Sequence, residues 1–238
     1  MKIPNSASFA PCAESLLSDG FCLLPQVLAA VECRDFIAQY DTEQIYRSTI
    51  DMARYNFGRG QYRYFDTPLP EHIAHLRTRF YELLVEPARV WAQRVKVDDN
   101  YPATFKAFEA SQKRRKQTKP TPLILRYTSG DYNCLHQDIS GEHYFPYQMI
   151  FFLSQAGRDF EGGELVLTQQ RPRMQTIPHV IKPDRGDCVI IASKYHPCAG
   201  KRGSYRTTFR HGVGKITDGE RYSLGIIFHN YADPAASE

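Results

Sequence analysis

Residues 125–138 read LRYTSGDYNCLHQD, and the last three of them decide how the rest of the chain is read. His136 and Asp138 stand two positions apart. On an extended chain, side chains alternate between faces, so an imidazole and a carboxylate at this spacing project to the same side. A lone HxD is a common pattern and also fits a strand-end pair making local hydrogen bonds. Its meaning depends on what lies downstream.

Two donors from one strand leave a metal ion unfinished. A non-haem Fe(II) site takes two histidines and one carboxylate on one face, and leaves adjacent positions open. The missing histidine is sought among His143, His179, His196, His211 and His229. His211 ends a strand-like run in HGVGKITDGERYSL, and Arg221 follows it by ten residues. A turn at Asp218-Gly219 would reverse the chain and let the next strand carry that arginine into the same barrel interior. A buried arginine beside such a site calls for an anion, which a dicarboxylate supplies through a paired hydrogen bond. His196 is the rival, since Arg206 also lies ten residues beyond it, but HPCAGK reads as a loop and His211 is preferred.

Outward from this segment the chain changes character near residue 120. Downstream, short runs rich in β-branched and aromatic residues alternate with Gly, Asp and Pro turns: 122–127, 147–153, 163–167, 179–181, 188–191, 205–213 and 222–228. Many short strands so spaced predict a sandwich or jelly roll rather than βαβ units. Upstream, Val27, Leu28, Val31, Phe36 and Ile37 fit one amphipathic helix, and Ile73, Leu76, Phe80, Leu83 and Leu84 fit another. Pro87 should end or kink the second, with Val90, Trp91 and Val95 continuing in a further helix. Between them RYNFGRGQYRYF, residues 54–65, nearly alternates tyrosine and arginine and suits an extended segment. Residues 112–119, QKRRKQTK, carry five positive charges and read as a solvated linker, with a phosphate-contacting edge as the alternative. The expected architecture is α+β: residues 1–119 a helical and extended support, residues 120–238 the barrel.

With the strands, histidine and arginine assembled, the pattern resembles the Fe(II)- and 2-oxoglutarate-dependent dioxygenases, whose fold is a double-stranded β-helix. FEGGEL at 160–165 resembles that superfamily's GGEL strand entry, and Gly186-Asp187 its turn before the strand preceding the distal histidine. The resemblance implies that His136, Asp138 and His211 hold Fe(II), that Arg221 pairs with the far carboxylate of 2-oxoglutarate, and that Ser223 and Tyr127 add hydroxyl donors. It also implies O2 as co-reactant, with hydroxylation of a substrate C–H bond and release of succinate and CO2. The segment RYTSGDYNCLHQD is similar to that of AlkB-type dealkylases; Leu125 and Ile227 stand where those carry an asparagine and a second arginine.

Across nearly the whole chain, IDMARYNFGRGQYRYFDTPLP, PTPLILRYTSGDYNCLHQD, FEGGELVLTQQRPRMQ and RHGVGKITDGERYSLGIIFH resemble a bacterial subfamily of nucleic-acid oxygenases. That likeness implies oxidative demethylation of alkylated nucleic acid, with Lys113 to Lys116, Arg171, Arg173 and the stretch from Tyr55 to Phe65 as candidate contacts. The bland account has Tyr62, Tyr64 and Phe65 packing helices on the barrel, the arginines being solvated. The alternatives are hydroxylation of a protein side chain, as prolyl hydroxylases do, or of a small molecule. A non-catalytic barrel would predict a broken metal triad or a missing arginine, and neither is seen.

The composition agrees with an ordinary folded chain. It has 238 residues, 42% hydrophobic and 24% charged, with a net charge of +4; such a length can bury one large core, and so small an excess charge does not by itself argue for nucleic acid. The six cysteines form no CxxC pair and read as reduced thiols. With no leader-like segment and no apolar run of membrane-spanning length, the expectation is an unprocessed cytoplasmic protein that binds no membrane.

Overall fold

The computed structural model describes residues 1–97, 101–141, 143–201 and 203–232; the last six residues of the expected barrel, 233–238, lie outside the described residues. Among the described residues four α-helices form: α1 (Ser6–Ser18), α2 (Ala30–Gln39), α3 (Glu71–Val95) and α4 (Phe105–Arg114). The strands before residue 120 are β1 (Phe21–Leu24), β2 (Tyr46–Asp51), β3 (Gly58–Arg59), β4 (Gln61–Phe65) and β5 (Gln117–Lys119). Then come β6 (Leu123–Thr128), β7 (Tyr132–His136), β8 (Tyr147–Phe152), β9 (Phe160–Gly162), β10 (Leu165–Gln170) and β11 (Ile177–Ile181). The last are β12 (Cys188–Ala192), β13 (Tyr195–Gly200), β14 (Gly203–Val213), β15 (Ile216–Ile227) and β16 (Tyr231–Ala232).

Two antiparallel sheets face one another, as in a double-stranded β-helix. The larger runs β1-β12-β8-β15-β6-β4-β2 with β9 on the start of β15; the smaller runs β11-β10-β14-β7-β3 with β13 also on β14. The N-terminal third therefore contributes strands to both sheets as well as helices.

The period-2 alternation of the large sheet explains its two faces. On β12, Cys188 and Ile190 join the core under the helices, while Val189 and Ile191 turn inward to Phe152, Leu165 and Leu167. The same parity puts Met149, Phe151, Leu224 and Ile226 under the helices. It directs Gln148, Tyr127, Arg221 and Ser223 into the space between the sheets.

Several sequence expectations change. α3 runs unbroken through Pro87 to Val95. Proline in a helix interior loses one hydrogen bond and costs about 3 kcal/mol; here Leu84, Ala88, Trp91 and Val95 are all buried along the same helix, and that burial outweighs the loss. Val27 and Leu28 precede α2 rather than joining it, though both are buried. Residues 112–119 are not a linker: α4 and β5 occupy them, and Gln112 and Gln117 are buried anchors among the basic side chains. The reversal expected at Asp218-Gly219 falls earlier, between β14 and β15, so that Asp218 and Gly219 lie inside a long strand whose register shifts against β9. His196 lies in β13 and not in a loop. Finally, the cysteines are not all thiols: Cys12, midway along α1, and Cys22, on β1, form a disulfide across the turn that joins the two elements, leaving Cys33, Cys134, Cys188 and Cys198 free. Among the described residues no helix is long and apolar enough to cross a membrane.

Candidate metal centre

His136 ends β7 and His211 lies near the end of β14, and the pairing of these strands puts the two directly opposite each other. Their approach is close. A Cβ on Gly212 would stand 2.7 Å from the Asn133 carbonyl oxygen, so the residue after His211 has to be glycine for β7 to come this near. The strands then bulge, with Val213 opposite Asn133.

The three donors converge. His136 Nε2 is 3.4 Å from Asp138 Oδ1, and His211 Nε2 is 3.2 Å from Asp138 Oδ2. One ligand atom from each residue fits within 4.8 Å of the others, a spacing that could hold a metal ion. His136 Nδ1 donates to the Cys134 carbonyl at 2.8 Å. A carbonyl only accepts, so Nδ1 carries a proton, which leaves Nε2 as the nitrogen that would face a metal ion. Burial favours neutral histidine, but the neighbouring Asp138 carboxylate outweighs it and holds the His136 pKa above its usual value. His211 goes the other way, pushed down by burial and by His136. Asp138 is held well below the usual carboxylate range despite burial, because both imidazoles favour its anion.

Arg221 enters the same space from β15, opposite Tyr127 of β6. It is 1% exposed, and burial lowers its pKa. Nη1 donates to Ser223 Oγ at 3.3 Å, whereas Nε and Nη2 have no partner. Its guanidinium lies 5.5 Å from the Tyr127 ring centre and 5.1 Å from that of Phe152. Gly162 and Gly163 both take positive φ, and a Cβ on Gly163 would stand 2.2 Å from Ile216 Cδ1 and 3.1 Å from Arg221 Cδ, which is why the GGEL segment needs glycine there. Tyr127 Oη accepts from Asn133 Nδ2 at 3.3 Å, and burial pushes its pKa to about 12. A buried guanidinium with two idle donor nitrogens and no carboxylate beside it, among the described residues, fits an anionic ligand.

The sequence-predicted residues thus divide cleanly. His136, Asp138, His211, Arg221, Ser223 and Tyr127 all face the space between the sheets. His196 is away from them, its Nε2 donating to the Ser18 carbonyl at 3.0 Å. Two residues escaped the sequence reading: Asn133, which positions Tyr127, and Gln148, which contacts both Asp138 and His211. Gln148 did leave a trace, as a carboxamide followed by the uniformly apolar MIFF of β8.

A double-stranded β-helix with two histidines, one aspartate and an unpaired arginine gathered between its sheets defines the class: a 2-oxoglutarate-dependent non-haem Fe(II) dioxygenase. The sequence model of the Oxygenase-NA family, described as an oxygenase catalysing oxidative methylation of damaged DNA, matches residues 60–231, and the chain belongs to this family. An uncharacterised protein of Mycobacterium tuberculosis, found in two strains, is 35% identical over 168 residues, 71% of this chain and 72% of that one. Among solved structures, a prolyl hydroxylase of Trichoplax adhaerens bound to a hypoxia-inducible-factor peptide gives a TM-score of 0.58 at 16% identity, covering 98% of this chain and 94% of that one. A Pseudomonas putida prolyl-4-hydroxylase gives 0.56 at 15% identity over 94% and 100% of the two chains. An oxidoreductase of the 2OG-Fe(II) oxygenase family from Burkholderia pseudomallei gives 0.52 at 19% identity over 97% and 95%. These likenesses concern the fold.

Proposed function

We propose that the chain hydroxylates a C–H bond with Fe(II) held by His136, Asp138 and His211 and 2-oxoglutarate held by Arg221, Ser223 and Tyr127, and that its substrate is alkylated nucleic acid. The observation that carries the cosubstrate is Arg221, buried and with two donors unspent. When bound, Fe(II) and 2-oxoglutarate supply oxidation of a C–H bond by O2, coupled to decarboxylation to succinate and CO2.

The chain's own part is to bind, orient and exclude water. Arg221 offers paired N–H groups to the far carboxylate, and Ser223 and Tyr127 extend the donor set. Phe152 and Phe160 line the arginine and keep water from competing for it. An N-methyl group oxidised here would leave as formaldehyde and free the base.

For the substrate, support comes from the family and from the flat surfaces beside the centre. Tyr55 and Phe57 are exposed, their rings stacked with centres 5.5 Å apart, just before β3, which pairs with β7. Tyr62 and Tyr64 meet edge to face at 5.3 Å, and Arg47 covers Tyr64 at 4.3 Å. The Asp138 carboxylate is one of the charges raising the pKa of both tyrosines, after burial, so this wall runs toward the metal ligands. Aromatic faces with arginines suit an extruded base and its phosphates.

Anaerobic addition of Fe(II) and 2-oxoglutarate should give a weak visible charge-transfer band. Aerobic incubation with N-methylated single-stranded oligonucleotides should release formaldehyde. A band and uncoupled succinate without formaldehyde from any alkylated DNA or RNA would move the substrate to a protein side chain or small molecule. Absence of both band and succinate would overturn the reaction itself.

A further inference from the structure

Gln148 lies on β8, 2% exposed, on a strand whose other side chains are aliphatic or aromatic. Its Nε2 is 2.9 Å from Asp138 Oδ2 and 3.2 Å from His211 Nε2. A carboxylate only accepts, so the amide must turn its nitrogen toward Asp138. Its second N–H then points toward His211 Nε2, which itself lies 3.2 Å from the same Asp138 oxygen. The amide oxygen is buried without a partner. A lone carboxamide at this depth is costly unless its donors are used, and the groups using them are two members of the His-Asp-His cluster.

We propose that Gln148 is a positioning residue of the metal centre, holding Asp138 by Oδ2 so that Oδ1 alone is presented to a metal ion, and fixing the placement of the His211 ring beside it. The proposal rests on the reading of His136, Asp138 and His211 as ligands. A free carboxylate can grip a divalent ion with both oxygens. One whose second oxygen is occupied by a donor coordinates through the first, and the position a second oxygen would take stays open. A centre that must accept a chelating cosubstrate and O2 needs such open positions. Partners of this kind around a metal typically change affinity by 10- to 100-fold when removed, because they orient the ligands before the metal arrives.

The test uses metal-free full-length protein titrated with Co(II), whose visible bands report the number and arrangement of its ligands. Gln148→Leu keeps the approximate volume and removes both amide groups. It should bind Co(II) about 10- to 100-fold more weakly than wild type, with bands shifted in energy and intensity as Asp138 becomes free to bind through both oxygens. The thermal midpoint of the metal-free variant should fall by only a few degrees, since the unpaired amide oxygen leaves together with the donor to Asp138, and its far-UV circular dichroism should match wild type; weaker metal binding is then not loss of fold. Should the leucine variant fail to fold, Gln148→Met carries the same reading with a more adaptable side chain. Affinity and spectrum equal to wild type would overturn the positioning role while leaving the ligand assignment intact. Absence of Co(II) binding by wild type would instead overturn the ligand assignment, and the proposal with it.

Discussion

Arg77 and Arg221 are each 1% exposed, yet the regions around them differ in kind. Arg77, on α3, donates from Nε to the Ile227 carbonyl at 3.1 Å, and from Nη2 to the Phe228 carbonyl and Asn230 Oδ1, both at 2.7 Å. Most polar groups near it are satisfied in turn: Gln117 Nε2 shares its two hydrogens among the carbonyls of Ser140, His143 and Asn230, and Asn230 N donates to Gln112 Oε1, with Gln112 Nε2 left over. This cluster ties α3, α4 and β5 to the chain leaving β15. Arg221 makes a single, long hydrogen bond among the described residues, to Ser223. The same residue type at the same depth is a finished joint in one place and an unfinished one in the other. Neither burial nor charge separates a structural arginine from a ligand-binding one; the count of unspent donors does.

Four substitutions press on that contrast. Arg77→Met should have the largest effect, because it strands three buried acceptors: about 3 kcal/mol of stability, or roughly 10 °C in Tm for a chain of this size. Calorimetry would measure it, and the folded fraction should bind metal normally. Arg221→Met should reverse the pattern, leaving Tm unchanged or raised while weakening 2-oxoglutarate about 100-fold, since hydrogen bonds to a charged partner are each worth about 1.5–3 kcal/mol; titration of the charge-transfer band reads this directly. A large loss of Tm here would break the contrast.

The third effect depends on pH. Burial pushes His229 from 6.5 down to about 3. Between those values the unfolded chain binds a proton that the folded one refuses, so stability should fall as pH drops through that window. Urea midpoints measured from pH 7 to 3 should trace the decline, and His229→Gln should flatten it without altering 2-oxoglutarate affinity at pH 7. Smallest is Ser223→Ala, which removes one neutral hydroxyl from the set around Arg221. A few-fold rise in the 2-oxoglutarate dissociation constant is expected, corresponding to about 1 kcal/mol.

Much of this is legible in the sequence alone. The spacing of His136 and Asp138 is a local property of an extended chain, and so is the strand parity that turns Arg221 and Ser223 to one side. The strand runs after residue 120 were readable because β-branched residues between turns mark strands wherever they occur. Pro87 misled because propensity prices a residue in an isolated helix, whereas α3 is held by what it buries. The basic run at 112–119 misled because its charges are loud and its two buried glutamines are not. Gln148 was invisible as a partner because nothing in the sequence relates it to residue 138 or residue 211.

Sequence by itself determined the reaction chemistry on offer: which donors exist, which of them share a face, and that an arginine accompanies them. Only the tertiary structure decided which histidine completes the cluster. His196 and His211 are each followed ten residues later by an arginine, but only His211 is brought opposite His136 by the pairing of β14 with β7, while His196 is spent on α1. The physical reason is that periodicity fixes the face of a side chain within its own strand, whereas which strands become neighbours depends on the whole core they bury together.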